Sequence, residues 1–492
     1  MAVNAKSAVV VGVGQFQQKP ANPAEALEPL AMMVAAIERA AEDAGARSLL
    51  ARAESIRVVQ GAWPYRDPGR LIAARLGADL RDSVVTPNGG NAPQALVNDT
   101  ALAIERGELS VAILTGAEGI NSRRRARAAG VTIPYTTDAD APRARRLGPE
   151  VEMSHPVEVE RGIDAPVNFY PMFETAIRYA NGEDVDAHRA RIARLWAGFN
   201  AVAVQNPNAW IRTPLTAEQI AAPGPDNRMI GFPYTKLLNS NWNLDQAAAV
   251  IMCSAEAAEA LGIARDRWVF PQAGTDGHDT YFVSNRRDLH SSPAIKACGE
   301  ALFELAGCGV DDVAHVDLYS CFPSAVQIGA AELGLGLDRP LTVTGGLTFA
   351  GGPLNNYVLH AIATMVEVLR AHPGELGLNS ANGGYTTKHA LGLYSTEPPA
   401  GGFKHADVQA VIEKTPAREL DAGYAGRAEL ESYTVMFDGD NRPAKALAAC
   451  LTPAGARQWA TSEEPGLLGA LCAEEHCGRA VELDAKAQLH LV

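Results

Sequence analysis

Cysteine is scarce in this sequence and absent from its first half. Only seven of the 492 residues are cysteine, no two have the C-x-x-C spacing, and the first is Cys253. This excludes a disulfide framework and a ribbon-type zinc site. Cys472, His476 and Cys477 lie too close together for a known zinc spacing, so we expect no metal site. A mechanism that uses a cysteine nucleophile in the first 252 residues is excluded as well.

The sequence also lacks long apolar runs and an excess of positive charge. No stretch approaches the roughly 18 apolar residues of a membrane-spanning helix. The short run within residues 1–16 is broken by Gly12 and Gly14, and no cleavage site follows, which favours a buried strand over a signal peptide. A net charge of −14 disfavours nucleic acid and anionic membranes as partners. We therefore expect a cytoplasmic protein without a membrane span.

Strand and helix patterns alternate along most of the chain, which predicts an α/β fold. The predicted strands are residues 8–13, 56–59, 83–86, 111–115, 313–319, 341–344, 376–380 and 390–395. Helices are expected at residues 28–44, 70–76, 93–105, 187–204, 323–333 and 353–370. The alanine-rich run at residues 245–249 begins with aspartate, which indicates the start of a further helix.

The patterns divide the chain into three parts. Residues 1–255 and 256–398 carry similar orders of strands and helices, which predicts two similar α/β halves. Within the first half the pattern loosens over about residues 120–235, which we interpret as an insertion on top of the sheet. A Pro- and Gly-rich segment at residues 398–402 then predicts a boundary. Residues 402–492 are expected to form an additional β-rich domain, because strict alternation indicates half-buried strands.

Gly12 and Gly14 look like the beginning of a dinucleotide-binding loop. The third glycine is missing, and Lys19 and Pro20 stand where the helix would begin, so phosphates would find no ring of backbone amides. We therefore predict a structural strand here and no bound cofactor.

Three glycine pairs are better candidates for a ligand site. The pairs at residues 89–90, 351–352 and 383–384 are each expected at the end of a strand, where ligands collect in α/β sheets. Bare backbone amides at such places bind anions or carbonyl oxygens. Each loop can also be a tight turn only, and the basic cluster at residues 123–127 can be either a phosphate site or a solvated surface.

In order and spacing, the motifs of this chain resemble those of the thiolase superfamily. The match is closest to the sterol-carrier-protein type and to thiolase-like protein type 1. The segments that carry the resemblance are Gly12-Val13-Gly14-Gln15, Gln94-Ala95, Thr115-Gly116-Ala117-Glu118, Asp245-Gln246-Ala247-Ala248-Ala249, Tyr319-Ser320-Cys321-Phe322, Gly351-Gly352-Pro353 and Ala381-Asn382-Gly383. The resemblance implies the five-layer αβαβα thiolase fold with a loop insertion. It also implies a C-terminal domain similar to an oligonucleotide-binding-fold barrel.

The resemblance places four catalytic positions on residues that lack the family's chemistry. The family's cysteine nucleophile, its water-positioning residue, its histidine base and its second cysteine fall on Gly89, Tyr319, Gly352 and Ala381. Glycine and alanine supply neither a nucleophile nor a titratable group. Loss of the nucleophile alone typically costs on the order of 10⁴ to 10⁶ in turnover. We therefore expect no thiolysis and no Claisen condensation.

Binding of CoA or an acyl-CoA does not depend on the missing groups, and it is the function that we predict. The resemblance places the ligand near a group of polar, glycine and arginine residues. These are Asn241, Ser240, Gly351, Gly352, Asn382, Gly383, Arg123 and Arg125. The small residues at the family's catalytic positions are expected to enlarge the cavity, and Trp242 is expected to refill or block part of it.

Two alternatives remain open at this stage. The protein can be an active acyltransferase with relocated residues, Cys321 and His389, on loops expected to reach the same cleft. It can also be a scaffold that docks a partner protein through residues 402–492. Enzymes of the family commonly dimerise through a strand of the N-terminal half, and the sequence leaves open whether that edge is free.

Overall fold

A computed structural model describes residues 3–492 of the chain. Its strands are β1 (Ala8–Gln17), β2 (Ser55–Val58), β3 (Asp82–Val85), β4 (Val111–Gly119), β5 (Arg145–Arg146), β6 (Met229–Gly231), β7 (Tyr234–Thr235), β8 (Asp245–Ser254), β9 (Phe270–His278), β10 (Val313–Asp317), β11 (Leu376–Gly383), β12 (Lys388–Ser395), β13 (Lys404–Asp407), β14 (Gly426–Phe437), β15 (Pro443–Leu451), β16 (Arg457–Ser462), β17 (Ala480–Leu483) and β18 (Leu489–Leu491).

Helices of very different lengths connect these strands. They are α1 (Pro29–Asp43), α2 (Ser48–Arg52), α3 (Pro68–Leu76), α4 (Ala92–Glu105), α5 (Ile120–Ala128), α6 (Pro156–Glu160), α7 (Pro166–Ala180), α8 (Val185–Gln205), α9 (Ala217–Ala221), α10 (Ala255–Ala260), α11 (Pro293–Ala306), α12 (Pro323–Leu333), α13 (Gly346–Phe349), α14 (Tyr357–Ala371), α15 (Gln409–Ile412) and α16 (Pro465–Ala473). None of the helices in residues 3–492 combines the length and apolar character that crossing a membrane requires.

Two sheets repeat one strand order. The first runs β1-β8-β4-β2-β3-β5 and the second runs β13-β9-β12-β11-β10. In both, two antiparallel pairs are followed by a parallel pair: β1–β8, β8–β4 and β4–β2 correspond to β9–β12, β12–β11 and β11–β10. The two halves are therefore architectural repeats, as the sequence predicted.

The two sheets and their helices stack in five layers. Helices α4 and α14 lie between the sheets, and each contacts strands of both. They are accordingly buried on nearly every side, including polar residues such as Gln94 and Asn98 of α4. Helices α1 and α3 cover the outer face of the first sheet, and α11 and α12 lie on the outer side of the second. This αβαβα arrangement confirms the predicted fold class.

Gly12 and Gly14 have a packing role in β1. A β-carbon on Gly12 would lie under 3.0 Å from the carbonyl oxygen of Ala40, and one on Gly14 would do the same at Ala36. Both acceptors belong to α1, so the two glycines let this helix lie directly on the strand.

The insertion contributes to more than the top of the first sheet. Residues 120–235 contain α5 to α9, but β5 extends the first sheet, while β6 and β7 join a third sheet. That third sheet runs β16-β15-β14-β17-β18 and is antiparallel along this order. A bridge between Thr461 and Gln488 links its two ends, which gives the C-terminal region a barrel-like closure.

Buried arginines fasten the C-terminal strands to the rest of the molecule. Arg457 donates to both carboxylate oxygens of Glu431, at 2.7 and 2.6 Å, and to three backbone carbonyls of residues 283–286 in the second half. Arg178, in the insertion, donates to Glu475 at 2.7 Å. The β-rich region is therefore packed against both other parts of the chain.

The helix predicted to start at residue 245 is wrong, because these residues form β8. Alternate side chains of β8 lie in two different cores: Ala248 and Val250 between the sheets, and Ala247 and Ala249 beneath α1. A central strand buried on both faces overrides the helix propensity of alanine.

The strand predicted at residues 341–344 does not form. The Asp317 carboxylate accepts hydrogen bonds from the backbone of Val343 and Thr344 and from the hydroxyls of Thr342 and Thr344. These bonds occupy amides that a strand would have offered to its neighbour, so β10 is the edge of the second sheet.

Candidate functional site

The structure brings the four expected catalytic positions together between the two halves. Gly89 follows β3 and donates its backbone N–H to Asn355 Oδ1 at 3.1 Å, in the turn that follows Gly352. On the other side, a β-carbon on Gly383 would lie 3.1 Å from the α-carbon of Gly89. Tyr319, which donates its backbone N–H to Ser380 Oγ at 2.8 Å, completes the group.

Tyr319 fills the space next to the loop at residues 89–90. A β-carbon on Gly90 would lie under 3.0 Å from both the Tyr319 hydroxyl oxygen and the Asn382 carbonyl oxygen. Burial raises the pKa of the Tyr319 phenol. The Tyr319 phenol is therefore neutral at physiological pH, and this side chain occupies space in the site without acting as a phenolate base.

Lys388 closes the same loop from the other side, and sequence reasoning missed it. Its Nζ donates to the carbonyl oxygen of Asn88 at 2.5 Å and would lie 2.9 Å from a β-carbon on Gly89. Gly89 also has φ +150°, which disfavours side chains. Burial lowers the pKa of Lys388, opposed by the charge of Glu150. The only sequence signal was the position of Lys388 at the hairpin next to His389.

Ser240 fills the space beside Gly352. A β-carbon on Gly352 would lie under 3.0 Å from Ser240 Oγ. The backbone holds this contact, because Gly352 N donates to the Asn241 carbonyl at 2.9 Å and Asn241 N donates to the Leu347 carbonyl at 3.1 Å. Gly351, with φ +117°, and Gly352 follow the short helix α13, so the expectation that a strand precedes them is wrong.

The cavity beside Tyr319 and Ala381, two of the four positions, is small. Tyr319, Ala381, Asn382 and His389 line a space of only about 10 Å³. A space of this size holds at most one water molecule. Trp242 is 58% exposed and does not fill the site.

The relocated pair, Cys321 and His389, is not assembled. Burial raises the pKa of the Cys321 thiol to about 12, so the thiolate fraction at neutral pH is roughly one part in 10⁵. His389 Nε2 instead lies 3.4 Å from Ser292 Oγ and 3.6 Å from Asp279 Oδ2. Within residues 3–492 no hydrogen bond joins Cys321 to His389, so the thiol has no adjacent base.

Arg123 and Arg125 lie on α5, and the hydrogen bonds of their side chains go to segments other than the glycine loops. Arg123 donates to the Ala62 carbonyl at 2.6 Å, and Arg125 donates to the carbonyls of Pro20 and Ala21, both at 2.7 Å. These bonds tie α5 to the first half. Arg123 stays exposed and Arg125 partly so, which leaves cationic surface on this helix.

Several buried amide oxygens around the loops lack a partner. Within the described residues, Oδ1 of Asn91, Asn382, Asn239 and Asn243 accepts no hydrogen bond. Buried acceptors are normally satisfied by protein, water or ligand. Two of them, Asn239 and Asn243, flank the predicted ligand residues Ser240 and Asn241.

A much larger cleft, of about 820 Å³, lies elsewhere, between the end of β9 and the segment after β13. His278 and Tyr281 stack on its wall, with ring centroids 4.1 Å apart. None of the predicted site residues lines this cleft, although Asp279 on its floor neighbours His389.

Comparisons with known proteins agree with this architecture. The family described as "Thiolase-like protein type 1 additional C-terminal domain" matches residues 407–488. A crystal structure of a monomeric SCP2-thiolase-like protein type 1 from Mycobacterium smegmatis has 28% identity and a TM-score of 0.85, and the match covers 100% of both chains. No curated protein sequence matches the chain significantly.

More distant structures share only the thiolase fold. The Ltp2-ChsH2(DUF35) aldolase is 18% identical, with a TM-score of 0.61 over 80% of this chain and 98% of that one. Acetyl-CoA acetyltransferase from Syntrophomonas wolfei is 16% identical, with a TM-score of 0.56 over 80% and 100%. The chain is therefore similar over its whole length to an SCP2-thiolase-like protein type 1, and its residues 407–488 match the additional C-terminal domain of the type 1 proteins.

Proposed function

We propose that this thiolase-like protein binds CoA or an acyl-CoA and catalyses neither thiolysis nor Claisen condensation. The observation that carries the proposal is the filling of the family's catalytic positions. Tyr319, Lys388 and Ser240 occupy the space in which a nucleophile and a base would stand at Gly89, Gly90 and Gly352. Without these groups no acyl-enzyme can form by the family's route.

The segment at residues 239–243 supports the binding part of the proposal. It lies against the Gly352 loop and carries two buried acceptors, Asn239 Oδ1 and Asn243 Oδ1, that are free to receive amide N–H groups. Pantetheine contains two such amides. Trp242 in the same segment is exposed, and its ring is available to stack on an adenine.

Calorimetry with CoA and acetyl-CoA, alongside a thiolysis assay with acetoacetyl-CoA, tests the proposal. We expect saturable binding and no turnover. Trp242→Ala is expected to weaken binding about 5- to 150-fold, since stacking of a base on an aromatic ring is worth about 1–3 kcal/mol. Tyr179→Ala, at another exposed aromatic, is the matched control and should leave the affinity unchanged.

The variant Tyr281→Ala tests whether the ligand binds in the large cleft and not at residues 239–243. Loss of affinity in this variant, with Trp242→Ala unaffected, would place CoA in the large cleft and contradict the proposed segment. Robust thiolysis by the wild-type protein would overturn the proposal as a whole.

The other two predicted functions have less support from these contacts. An acyltransferase built on Cys321 would have to deprotonate a buried thiol whose pKa is raised to about 12. A docking role for residues 402–492 stays a prediction.

A further inference from the structure

Two imidazoles and a carboxylate meet at the free edge of the second sheet. His315 lies in β10, His372 follows α14, and Glu375 immediately precedes β11. His315 Nε2 is 2.6 Å from Glu375 Oε2, and His372 Nδ1 is 4.0 Å from the same oxygen. All three ligand atoms lie within 4.8 Å of one another, and in residues 3–492 no other group of three histidine, cysteine or acidic residues meets this criterion.

The fold fixes the three positions independently of any metal. Strands β10 and β11 are parallel, and a register shift after Val313 pairs His315 with Gly377, which brings His315 beside the start of β11. The turn between α14 and β11 is short and contains both His372 and Glu375. Glu375 N donates to the His372 carbonyl at 3.3 Å, which holds the two residues close together. The three ligands thus come from β10 and from the short turn between α14 and β11.

The donor set selects a class of ion. Imidazole nitrogen with one carboxylate suits Zn²⁺ and its neighbours Cu²⁺ and Ni²⁺, whereas Mg²⁺ and Ca²⁺ prefer all-oxygen sites. Ligand atoms about 2.0–2.1 Å from a tetrahedral zinc ion are about 3.4 Å apart. The observed 2.6 and 4.0 Å lie on either side of this value. Since His372 and Glu375 are half exposed, small rotations of these side chains reach it.

We propose that His315, His372 and Glu375 form a binding site for a divalent transition-metal ion of the zinc class, with the fourth coordination position open to solvent. The ligands come from β10 and from the turn that leads from α14 into β11, the neighbour of β10. Bound metal would therefore fasten the edge strand to its neighbour. No sequence motif marks this site, because the two histidines are far apart in the chain.

A calorimetric titration of the chelator-treated full-length protein with zinc chloride tests the site. We expect one saturable equivalent, and a higher melting temperature with zinc than without it, because an ion that binds only the folded state stabilises it. When cobalt(II) chloride is added in place of zinc chloride, the protein should show the visible absorption bands of cobalt(II) bound in a site of low symmetry.

His315→Ala and His372→Ala should each weaken zinc binding about tenfold or more. The matched control is His290→Ala, which removes an exposed imidazole 3.7 Å from the Asp288 carboxylate but with no third ligand, and it should bind like the wild type. Circular dichroism checks that each variant is folded. Absence of saturable binding, or unchanged affinity in both His315→Ala and His372→Ala, would overturn the proposal.

Discussion

At the scale of single residues, Gly90 is enclosed by groups that have little freedom to move. One neighbour is a backbone carbonyl, that of Asn382, and the other is the half-buried Tyr319 hydroxyl. We expect Gly90→Ala to lower the free energy of unfolding by about 1–3 kcal/mol, the usual cost of an extra methyl group in a packed core. Urea unfolding followed by circular dichroism measures the change.

Gly198→Ala is the control for this substitution. Gly198 lies on the exposed side of α8, and a β-carbon there meets no atom within 4 Å. The change should stabilise the protein by about 0.5–1 kcal/mol, because alanine favours the helix. Equal effects of the two substitutions would show that the space at Gly90 is not filled.

Glu118 is expected to make stability depend on pH. It is buried at the end of β4, where burial raises its pKa to about 7, opposed by the Ala62 N–H and the charge of Arg123. The unfolded-state pKa is near 4.5, so between about pH 4.5 and 7 the folded state binds more protons than the unfolded state. The free energy of unfolding should therefore fall by about 3 kcal/mol as pH rises through this window, and stay level above it.

Glu118→Gln separates this effect from the other titrations. Glutamine retains an oxygen that accepts from Ala62 N–H, which lies at 2.8 Å in the wild type. The variant should match the wild type near pH 5 and be more stable at pH 8, as measured by urea unfolding at both values. A wild-type advantage at pH 8 would contradict the raised pKa.

Residue identity alone predicts which chemical groups the candidate site lacks. It does not predict what stands in their place. Tyr319 and Lys388 reach the loop at Gly89 from the other half of the chain, and Ser240 reaches Gly352 from the segment between the insertion and β8. Such contacts depend on how the two halves pack against each other. The residue types at single positions therefore predict open space beside these glycines, whereas side chains from elsewhere in the chain occupy it.

At the scale of elements, the strand and helix patterns locate most of the two halves. They fail where tertiary contacts compete with local preference. The alanine run of β8 forms a strand because both of its faces are buried. Residues 341–344 do not form a strand, because their backbone N–H groups donate to the Asp317 carboxylate. Neither competitor is adjacent in sequence, which is why periodicity cannot detect it.

Arg457 of β16 is expected to determine how firmly the third sheet is held. Arg457→Met would leave Glu431, whose side chain is 11% exposed, and three backbone carbonyls without their donor. Removing one partner of a buried ion pair typically costs about 3–5 kcal/mol. Arg442→Met, at an exposed pair with Asp440, should change stability by less than about 1 kcal/mol. Similar values for both variants in urea unfolding would contradict this role.

At the scale of the whole molecule, β5 covers the edge of the first sheet that the sequence left undecided. Its two residues pair with Val84 and Val85 of β3, Leu147 N donates to the Val85 carbonyl at 2.9 Å, and Arg145 pairs with Asp82 at 2.8 Å. A covered edge offers few unpaired backbone groups to a second copy.

We therefore expect a monomer of 52.0 kDa in solution, measured by sedimentation equilibrium at micromolar concentrations. Leu147→Pro removes the N–H that donates to Val85, which loosens the cover and should increase self-association at high concentration. Leu337→Pro, at an exposed leucine distant from this edge, controls for a general effect of proline. A wild-type dimer at micromolar concentration would show that the molecule associates through another surface or displaces β5, because the edge of β3 is already paired.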